Sequence, residues 1–323
     1  MVVPGPAKLR LGVSACLLGQ EVRYNGGHKR DRFLTDVLGP YVDWVPVCPE
    51  VELGLGTPRP ALRLVRIGGG TRLITPETAT DWTEPMREYA ERRVAELAGL
   101  ELAGYVLKKD SPSCGMERVK LYREEEGSAP LRDGRGLFAE VLLERLPALP
   151  VEEEGRLADP APRENFVSRI FAYDRFRRQE RQGFTRAGLL RFHEHHKFLL
   201  MARNQAGMRR LGRLLGSAGR EVPMADLTRD YLAGFTAVLS RPASRRGHTN
   251  VLQHLAGYVS DPLERADREE LTQAIESYRQ GYLPLIVPLT LLRHHARRQE
   301  VAYLEDQVYL WPHPSEMMLF NHV

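Results

Sequence analysis

The stretch LRLGVSACLLG, residues 9–19, decides the fold. A short apolar run, Leu9 to Val13, passes directly into a polar, turn-forming segment that carries Cys16. The same arrangement occurs twice more: Val42 to Val47 precedes CPEVELGLG with Cys48, and Tyr105 to Leu107 precedes KKDSPSCG with Cys114. Short apolar runs bounded by Gly, Pro and Ser clusters read as buried strands. In a parallel α/β sheet the loops after such strands leave at the carboxyl edge, where the strand order reverses and ligands bind. Three thiols far apart in sequence are therefore expected to converge.

Outward from these runs, strand-like and helix-like segments alternate, the signature of an α/β domain with a Rossmann-like, mostly parallel sheet. Arg32 to Leu38 is expected to begin a helix, and residues 61–75 read as a hairpin turned at Gly68, Gly69 and Gly70, a local addition. Thr83 is expected to cap a helix with Pro85 in its first turn, ending near Gly99. A further helix is expected over Leu137 to Arg145, and a short strand near Ala148 to Val151. This domain is assigned to residues 1–152. The acidic, then Pro- and Ala-rich stretch at 153–165 is expected to be a linker. Residues 166–323 show helical spacing without a convincing strand, with breaks at Gly183 and Gly216, and are expected to form an all-α domain. Its later helices are placed at Met224 to Leu239, Thr249 to Val259, Pro262 to Gly281 and Leu283 to Glu305.

With 323 residues, 42% of them hydrophobic, the chain has material for two cores. No apolar stretch is long enough for a membrane span, and MVVPGPAKLRLGV lacks the pattern of a signal peptide, so a cytoplasmic location without membrane contact is expected. The net charge of +4 is uneven: residues 1–155 hold 21 Lys+Arg against 24 Asp+Glu, and the remainder 25 against 18. A basic partner surface is thus expected in the second half. No GxGxxG or P-loop follows a strand, which argues against a nucleotide cofactor.

Three isolated cysteines admit three readings, in falling order of frequency: buried structural thiols, a zinc site completed by His, or an iron–sulfur cluster with one iron lacking a protein ligand. Loop context favours the last, because a thiol kept only for packing is misplaced in a polar loop at a strand end. Glu50 stands two residues after Cys48, suited to moving a proton, and Ser111 and Ser113 precede Cys114. Arg23, Tyr24, Asn25 and Lys29 form a polar loop after Cys16, and Lys108 and Lys109 lie before Cys114. These suit an oxygen-rich or anionic ligand.

Together SACLLGxxVRYNGG, PVCPEVELGLGTPRP and LKxxSPSCG resemble the thiouracil desulfurase (TudS-like) family over most of residues 7–150. The resemblance implies a [4Fe-4S] cluster held by Cys16, Cys48 and Cys114, whose free iron captures a thiocarbonyl sulfur, with Glu50 as acid/base and Ser111 assisting at the substrate. Substrate contacts are expected from Ser113, Arg23, Tyr24, Asn25 and Lys108, although Asn25 stands where Asp is more familiar. Capture of that sulfur by the free iron implies an extra sulfide there as the intermediate. The implied chemistry is hydrolytic, converting thiocarbonyl to carbonyl and releasing hydrosulfide.

RFHEHHKFLLMARN at 191–204 and YLEDQVYLWPHPSEMML at 303–319 resemble the YbgA-like C-terminal domain. Chains joining both domains look like tRNA thiouridine desulfidases, which implies tRNA as partner and conversion of 4-thiouridine to uridine. Residues 163–213 hold 13 Lys+Arg against 4 Asp+Glu, a stripe suited to phosphates. Candidate RNA contacts are Arg175, Arg177, Arg178, Arg181, Lys197, Arg203, Arg209, Arg210 and Arg213; a solvated face is the competing reading. Phe176, Phe184, Phe192 and Phe198 fit core packing better than base stacking. His193, His195 and His196, like His294 and His295, do not follow the zinc-helix pattern, and capping or phosphate contact is expected of them. Other functions consistent with the sequence are a desulfurase of free thiopyrimidines or thionucleosides, a non-catalytic iron–sulfur sensor that binds nucleic acid, and a structural zinc protein.

Overall fold

The computed structural model describes residues 8–124, 128–314, 317 and 319–321; the N-terminal MVVPGPA and residues Ser315, Glu316 and Met318 of the last motif lie outside the described residues. The chain divides into two compact units, Met1–Ala158 and Asp159–Val323. In chain order the first unit comprises β1 (Leu9–Ser14), β2 (Val42–Val47), α1 (Pro49–Glu52), β3 (Arg63–Ile67), β4 (Gly70–Thr75), β5 (Thr80–Asp81), α2 (Thr83–Ala98), β6 (Gly104–Leu107), β7 (Val119–Arg123), β8 (Leu131–Gly134), α3 (Leu137–Arg145) and β9 (Val151–Glu153).

Four strands form a wholly parallel sheet in the order β2-β1-β6-β9. The central strands are buried almost throughout, which is why their sequences read as continuous apolar runs. β2 is an edge strand and tolerates Pro46, which has no N–H to give a ladder. β1 and β6 approach so closely that a side chain at Gly12 would strike the Tyr105 ring. Strand order reverses between β1 and β6, so the crevice expected of such sheets opens beside the loops that carry Cys16 and Cys114.

The hairpin expected as a local addition is instead the centre of a second, five-stranded sheet ordered β5-β4-β3-β7-β8, in which only β3 and β7 run parallel. Strands β7 and β8 were not expected from the sequence; each is short, and β8 exposes half of its residues. Thr83 is the first helical residue and not a cap: its hydroxyl accepts from Leu73 N at 2.8 Å, while Asp81 takes the Thr83 N–H at 2.8 Å. Arg32 to Leu38 yields one wide helical turn at Phe33–Leu38. The last strand falls at 151–153, later than expected.

The second unit is all-helical: α4 (Pro160–Gln182), α5 (Arg186–Ser217), α6 (Met224–Leu239), α7 (Arg245–Val259), α8 (Arg265–Gln280), α9 (Ile286–Arg298) and α10 (Ala302–Glu305). The 153–165 stretch, expected to lack regular structure, is ordered, and the boundary between the two units falls inside it: β9 ends at Glu153, a 3-10 turn spans Arg156–Ala158, and Asp159 caps α4 by accepting the Ala161 N–H at 3.2 Å. Pro160 sits where a helix wants it, at the first position, and Asn165 is buried, donating to the Leu239 and Arg241 carbonyls. Gly183 closes α4 at φ +86°, whereas Gly216 lies inside α5 and the interruption there comes at Asn204. The expected final helix is two, separated at Glu300, whose φ is +51°. Phe176, Phe192, Tyr231 and Phe235 form the aromatic centre, with Phe176 and Phe192 edge-to-face at 5.3 Å. Among the described residues no helix is long and apolar enough to cross a membrane.

Candidate metal centre

The three cysteine loops line one cavity of about 250 Å³ at the carboxyl edge of the parallel sheet. Cys16 lies in a 3-10 turn that continues β1 and closes at Gly19, whose φ of +94° suits glycine. The Cys16 carbonyl accepts from the N–H of Lys29 at 2.9 Å, folding the Arg23–Lys29 loop back over the turn. Cys48 precedes α1, and its own N–H is taken by Oε1 of Glu52 at 3.0 Å. Its thiol donates to the Val22 carbonyl at 3.7 Å.

Cys114 is held by its surroundings from three sides. The Ser111 hydroxyl accepts the N–H groups of Ser113 and Cys114 at 3.3 and 3.1 Å, closing the SPSC turn. In the first turn of α3 the Leu137 N–H donates to the Pro112 carbonyl and those of Phe138 and Ala139 to the Ser113 carbonyl, so the loop supplies the acceptors that a helix start lacks. Gly136 allows this packing, because a Cβ there would lie 2.4 Å from the Ser113 oxygen.

Burial raises all three thiols. Cys16 is pushed up to about 11, with Lys108 pulling it back and Cys48 and Glu154 pushing it further. Cys48 rises through burial, opposed by the Val51 N–H and increased by Glu50. Cys114 rises well above the usual thiol range for the same reason, although a hydrogen bond from the Ser14 hydroxyl lowers it. Cys16 and Cys114 each feel the charge of Cys48. Among the described residues no three His, Cys, Asp or Glu side chains are placed to share a single metal ion.

Glu50 also lines this cavity, on α1. Its Oε2 receives both Nε and Nη2 of Arg59, at 2.9 and 2.6 Å, and its Oε1 receives the Ser113 hydroxyl. Ser111, Arg23, Tyr24 and Lys108 share the lining. Ser113 does not: it is fully buried behind the cavity wall and serves Glu50. Asn25 is exposed and outside the lining, its side chain accepting the Gly27 N–H within its own turn. Lys108 is paired with Glu154, which also takes the Lys109 N–H at 2.7 Å. Glu153 accepts the Met116 N–H at 2.7 Å, so the acidic run read as linker fastens the Cys114 loop. Sequence reasoning missed Ser14, Arg59 and Glu154. Arg59 stands inside the GTPRP stretch already quoted, and Glu154 in a run of three glutamates.

In the helical unit the arginine stripe separates into different environments. Arg203 is interior, its side chain 1% exposed, 3.5 Å from the buried carboxylate of Glu164. Arg175 is largely buried, donates to the Trp311 and Pro312 carbonyls, and is lowered by burial to about 10. Neither is placed to meet a phosphate. Arg177 pairs with Glu180 and Arg178 with Asp174, and Arg181 is also engaged. Lys197 donates to the Tyr303 hydroxyl at 3.1 Å. Arg209, Arg210 and Arg213 are exposed on the second half of α5. His193 meets the Tyr231 hydroxyl at 3.0 Å and His196 the Phe192 carbonyl at 2.8 Å, both buried, which leaves neither as a phosphate contact.

A family model for 2-thiouracil desulfurase matches residues 11–154, and one for a protein of unknown function (DUF1722) matches residues 197–314. The chain is 35% identical over 146 residues to the uncharacterized protein YbgA of Escherichia coli (strain K12), covering 45% of this chain and 86% of that protein. It is 33% identical over 108 residues to the uncharacterized protein YbbK of Bacillus subtilis (strain 168), covering 32% and 71%. A solved structure titled [4Fe-4S]-dependent thiouracil desulfidase TudS has 32% sequence identity, covers 47% of this chain and 94% of its own, and superposes with a TM-score of 0.38. Through residues 11–154 the chain belongs to the 2-thiouracil desulfurase family, here joined to the DUF1722 domain that matches residues 197–314.

Proposed function

We propose that this chain is an iron–sulfur-dependent hydrolytic desulfidase that converts 4-thiouridine in tRNA to uridine. The observation that carries the reading is the meeting of Cys16, Cys48 and Cys114 on one cavity with Glu50 and Ser111. The donor set suits an iron–sulfur cluster: desolvation makes ionisation of all three thiols costly, and Cys48 adds to that cost at Cys16 and Cys114, a cost that cationic iron offsets. The sequence contains no fourth cysteine, so a [4Fe-4S] cluster held there keeps one iron without a cysteine ligand. When bound, that iron supplies a soft Lewis acid matched to a thiocarbonyl sulfur and poorly matched to carbonyl oxygen.

The chain's own groups perform the rest. Overall, a thiocarbonyl and water give a carbonyl and hydrogen sulfide, with one C–O bond formed, the C–S bond broken and no net redox change. Glu50, held at one oxygen by Arg59 and at the other by Ser113, receives a proton from the attacking water and returns it to the departing sulfur. Ser111 is already accepting two N–H groups, so its hydroxyl proton is available to orient the substrate. Arg23 lies over the Tyr24 ring at 5.4 Å beside the cavity, a flat cationic surface suited to a pyrimidine nucleotide. In the helical unit, exposed Arg209, Arg210 and Arg213 supply the charge for an RNA backbone.

A free thiopyrimidine is the second reading, favoured by the interior placement of Arg175 and Arg203, which removes two cations from the basic stripe. The deciding experiment is anaerobic reconstitution with iron and sulfide, followed by incubation with tRNA carrying 4-thiouridine or with 2-thiouracil. Loss of thiocarbonyl near-ultraviolet absorbance with hydrosulfide release from tRNA supports the first reading. Turnover of 2-thiouracil alone supports the second, and an iron-loaded protein inert toward both overturns desulfidation.

A further inference from the structure

Arg59 stands in the GTPRP stretch after α1 and has no part in the roles read from the cysteine motifs. Its side chain is 4% exposed and that of its partner Glu50 13%. A guanidinium has five N–H donors in a rigid fork. Nε and one Nη2 proton serve Glu50 Oε2, and the two Nη1 protons serve the carbonyls of Val22 at 3.0 Å and Gly56 at 2.9 Å. Four of the five donors are thus committed within the protein, which leaves Arg59 poorly equipped to hold a substrate. Its backbone N–H donates to the Tyr24 carbonyl at 2.8 Å.

These contacts span all three cysteine loops. Val22 and Tyr24 belong to the loop after Cys16, and Glu50 to the segment after Cys48. Through its other oxygen Glu50 receives the Ser113 hydroxyl, beside Cys114. A carboxylate gripped at both oxygens from opposite partners is fixed in rotation. Lysine cannot substitute, because an ammonium is a point donor and cannot address Glu50, Val22 and Gly56 in one plane.

We propose that Arg59 is a positioning residue that orients the Glu50 carboxylate for proton transfer, a role resting on the desulfidase reading above. A displacement of about 1 Å at a reacting group costs on the order of 100-fold in rate, which sets the expected effect.

The test compares wild type, Arg59→Ala and Arg59→Lys after anaerobic reconstitution, using 2-thiouracil and thiolated tRNA. Iron and acid-labile sulfide per chain, kcat and KM are measured, each with and without added guanidinium. Arg59→Ala is expected to keep its iron and its KM, lose kcat by about 100-fold, and regain about 10-fold of it when guanidinium fills the vacated space. Arg59→Lys, which keeps the charge and most of the volume, is expected to keep iron and KM while losing kcat without rescue. Loss of iron in both variants, with no guanidinium rescue, makes Arg59 a structural weld and overturns the proposal. Unchanged kcat in either variant overturns it as well. Wild type that loads iron but turns over neither substrate overturns the desulfidase reading itself, and this role with it.

Discussion

The hydroxyl of Ser113 donates to Oε1 of Glu50 across a sequence separation of 63 residues. It joins the loop that carries Cys114 to the short helix that follows Cys48, so two of the three cysteine loops share one hydrogen bond at their base. Replacing Ser113 by Ala removes a bond to a charged group, worth about 1.5–3 kcal/mol, and frees Glu50 to rotate. The expected outcome is a kcat about 10-fold lower with iron content unchanged, checked by steady-state turnover of 2-thiouracil beside an iron assay.

Glu50 and the cysteines should separate chemistry from assembly. Glu50→Gln keeps nearly the same volume, so it should bind iron as wild type does while losing turnover by about 100-fold to 10,000-fold. Cys114→Ala should lose iron together with turnover. Visible absorbance of the reconstituted proteins, read beside hydrosulfide release, distinguishes the two; a Gln variant as active as wild type would remove Glu50 from the mechanism.

Two glycines predict opposite responses to a methyl group. At Gly136 a Cβ would lie 2.4 Å from the Ser113 oxygen and 2.9 Å from Cys114 N, so Gly136→Ala must displace the third cysteine loop. A loss of about 1–3 kcal/mol and reduced iron loading are expected. At Gly216, within α5, a Cβ meets nothing, and Gly216→Ala should be neutral or stabilising by up to about 1 kcal/mol. Chemical denaturation of both variants checks the contrast.

Within the helical unit the arginines should divide by environment. Arg203→Met leaves Glu164 buried without its cation and should destabilise by about 3–5 kcal/mol. Arg209→Glu with Arg210→Glu should change stability by less than about 0.5 kcal/mol per site. If these exposed residues meet phosphates, the same double variant should weaken tRNA binding and flatten its dependence on salt, measured by titration at several ionic strengths. Unaltered binding would direct attention to another face.

Acid should destabilise the helical unit through histidines buried in the neutral form. Burial lowers His196 from 6.5 to about 3, partly opposed by its bond to the Phe192 carbonyl, and lowers His248 to about 4, with Glu164 opposing and Arg203 adding. Between these values and 6.5 the unfolded chain binds more protons than the folded one, so stability rises with pH across that window. It should therefore begin to fall as pH drops below 6.5 and be lost progressively toward 4 and 3. His248→Gln should reduce the slope by up to about 1.4 kcal/mol per pH unit, measured by denaturant unfolding of the full chain at stepped pH.

The strands that precede the cysteines were legible because a strand covered on both faces reads as an unbroken apolar run, and β1 and β6 are such strands. Helices α2, α3 and α6 were legible from spacing and end residues. Strands β7 and β8 were not: each gains its identity from a partner remote in sequence, and five or fewer residues carry too little pattern to announce it. The acidic pair Glu153 and Glu154 looked like linker because composition shows charge but not that Met116, Lys108 and Lys109 wait for it.

By itself, the sequence determined that three thiols follow three strands, that a carboxylate and two serines accompany them, and that a helical half carries excess positive charge. Those are properties of local pattern, fixed by which residues a buried strand or a turn accepts. Only the tertiary structure decided that Arg59 and Ser113 grip Glu50 from both sides, and that Arg175 and Arg203 turn inward while Arg209 and Arg210 face out. Helical spacing gives each arginine an angle around its helix. Which angles are interior depends on where the other helices pack, and no stretch of local sequence holds that information.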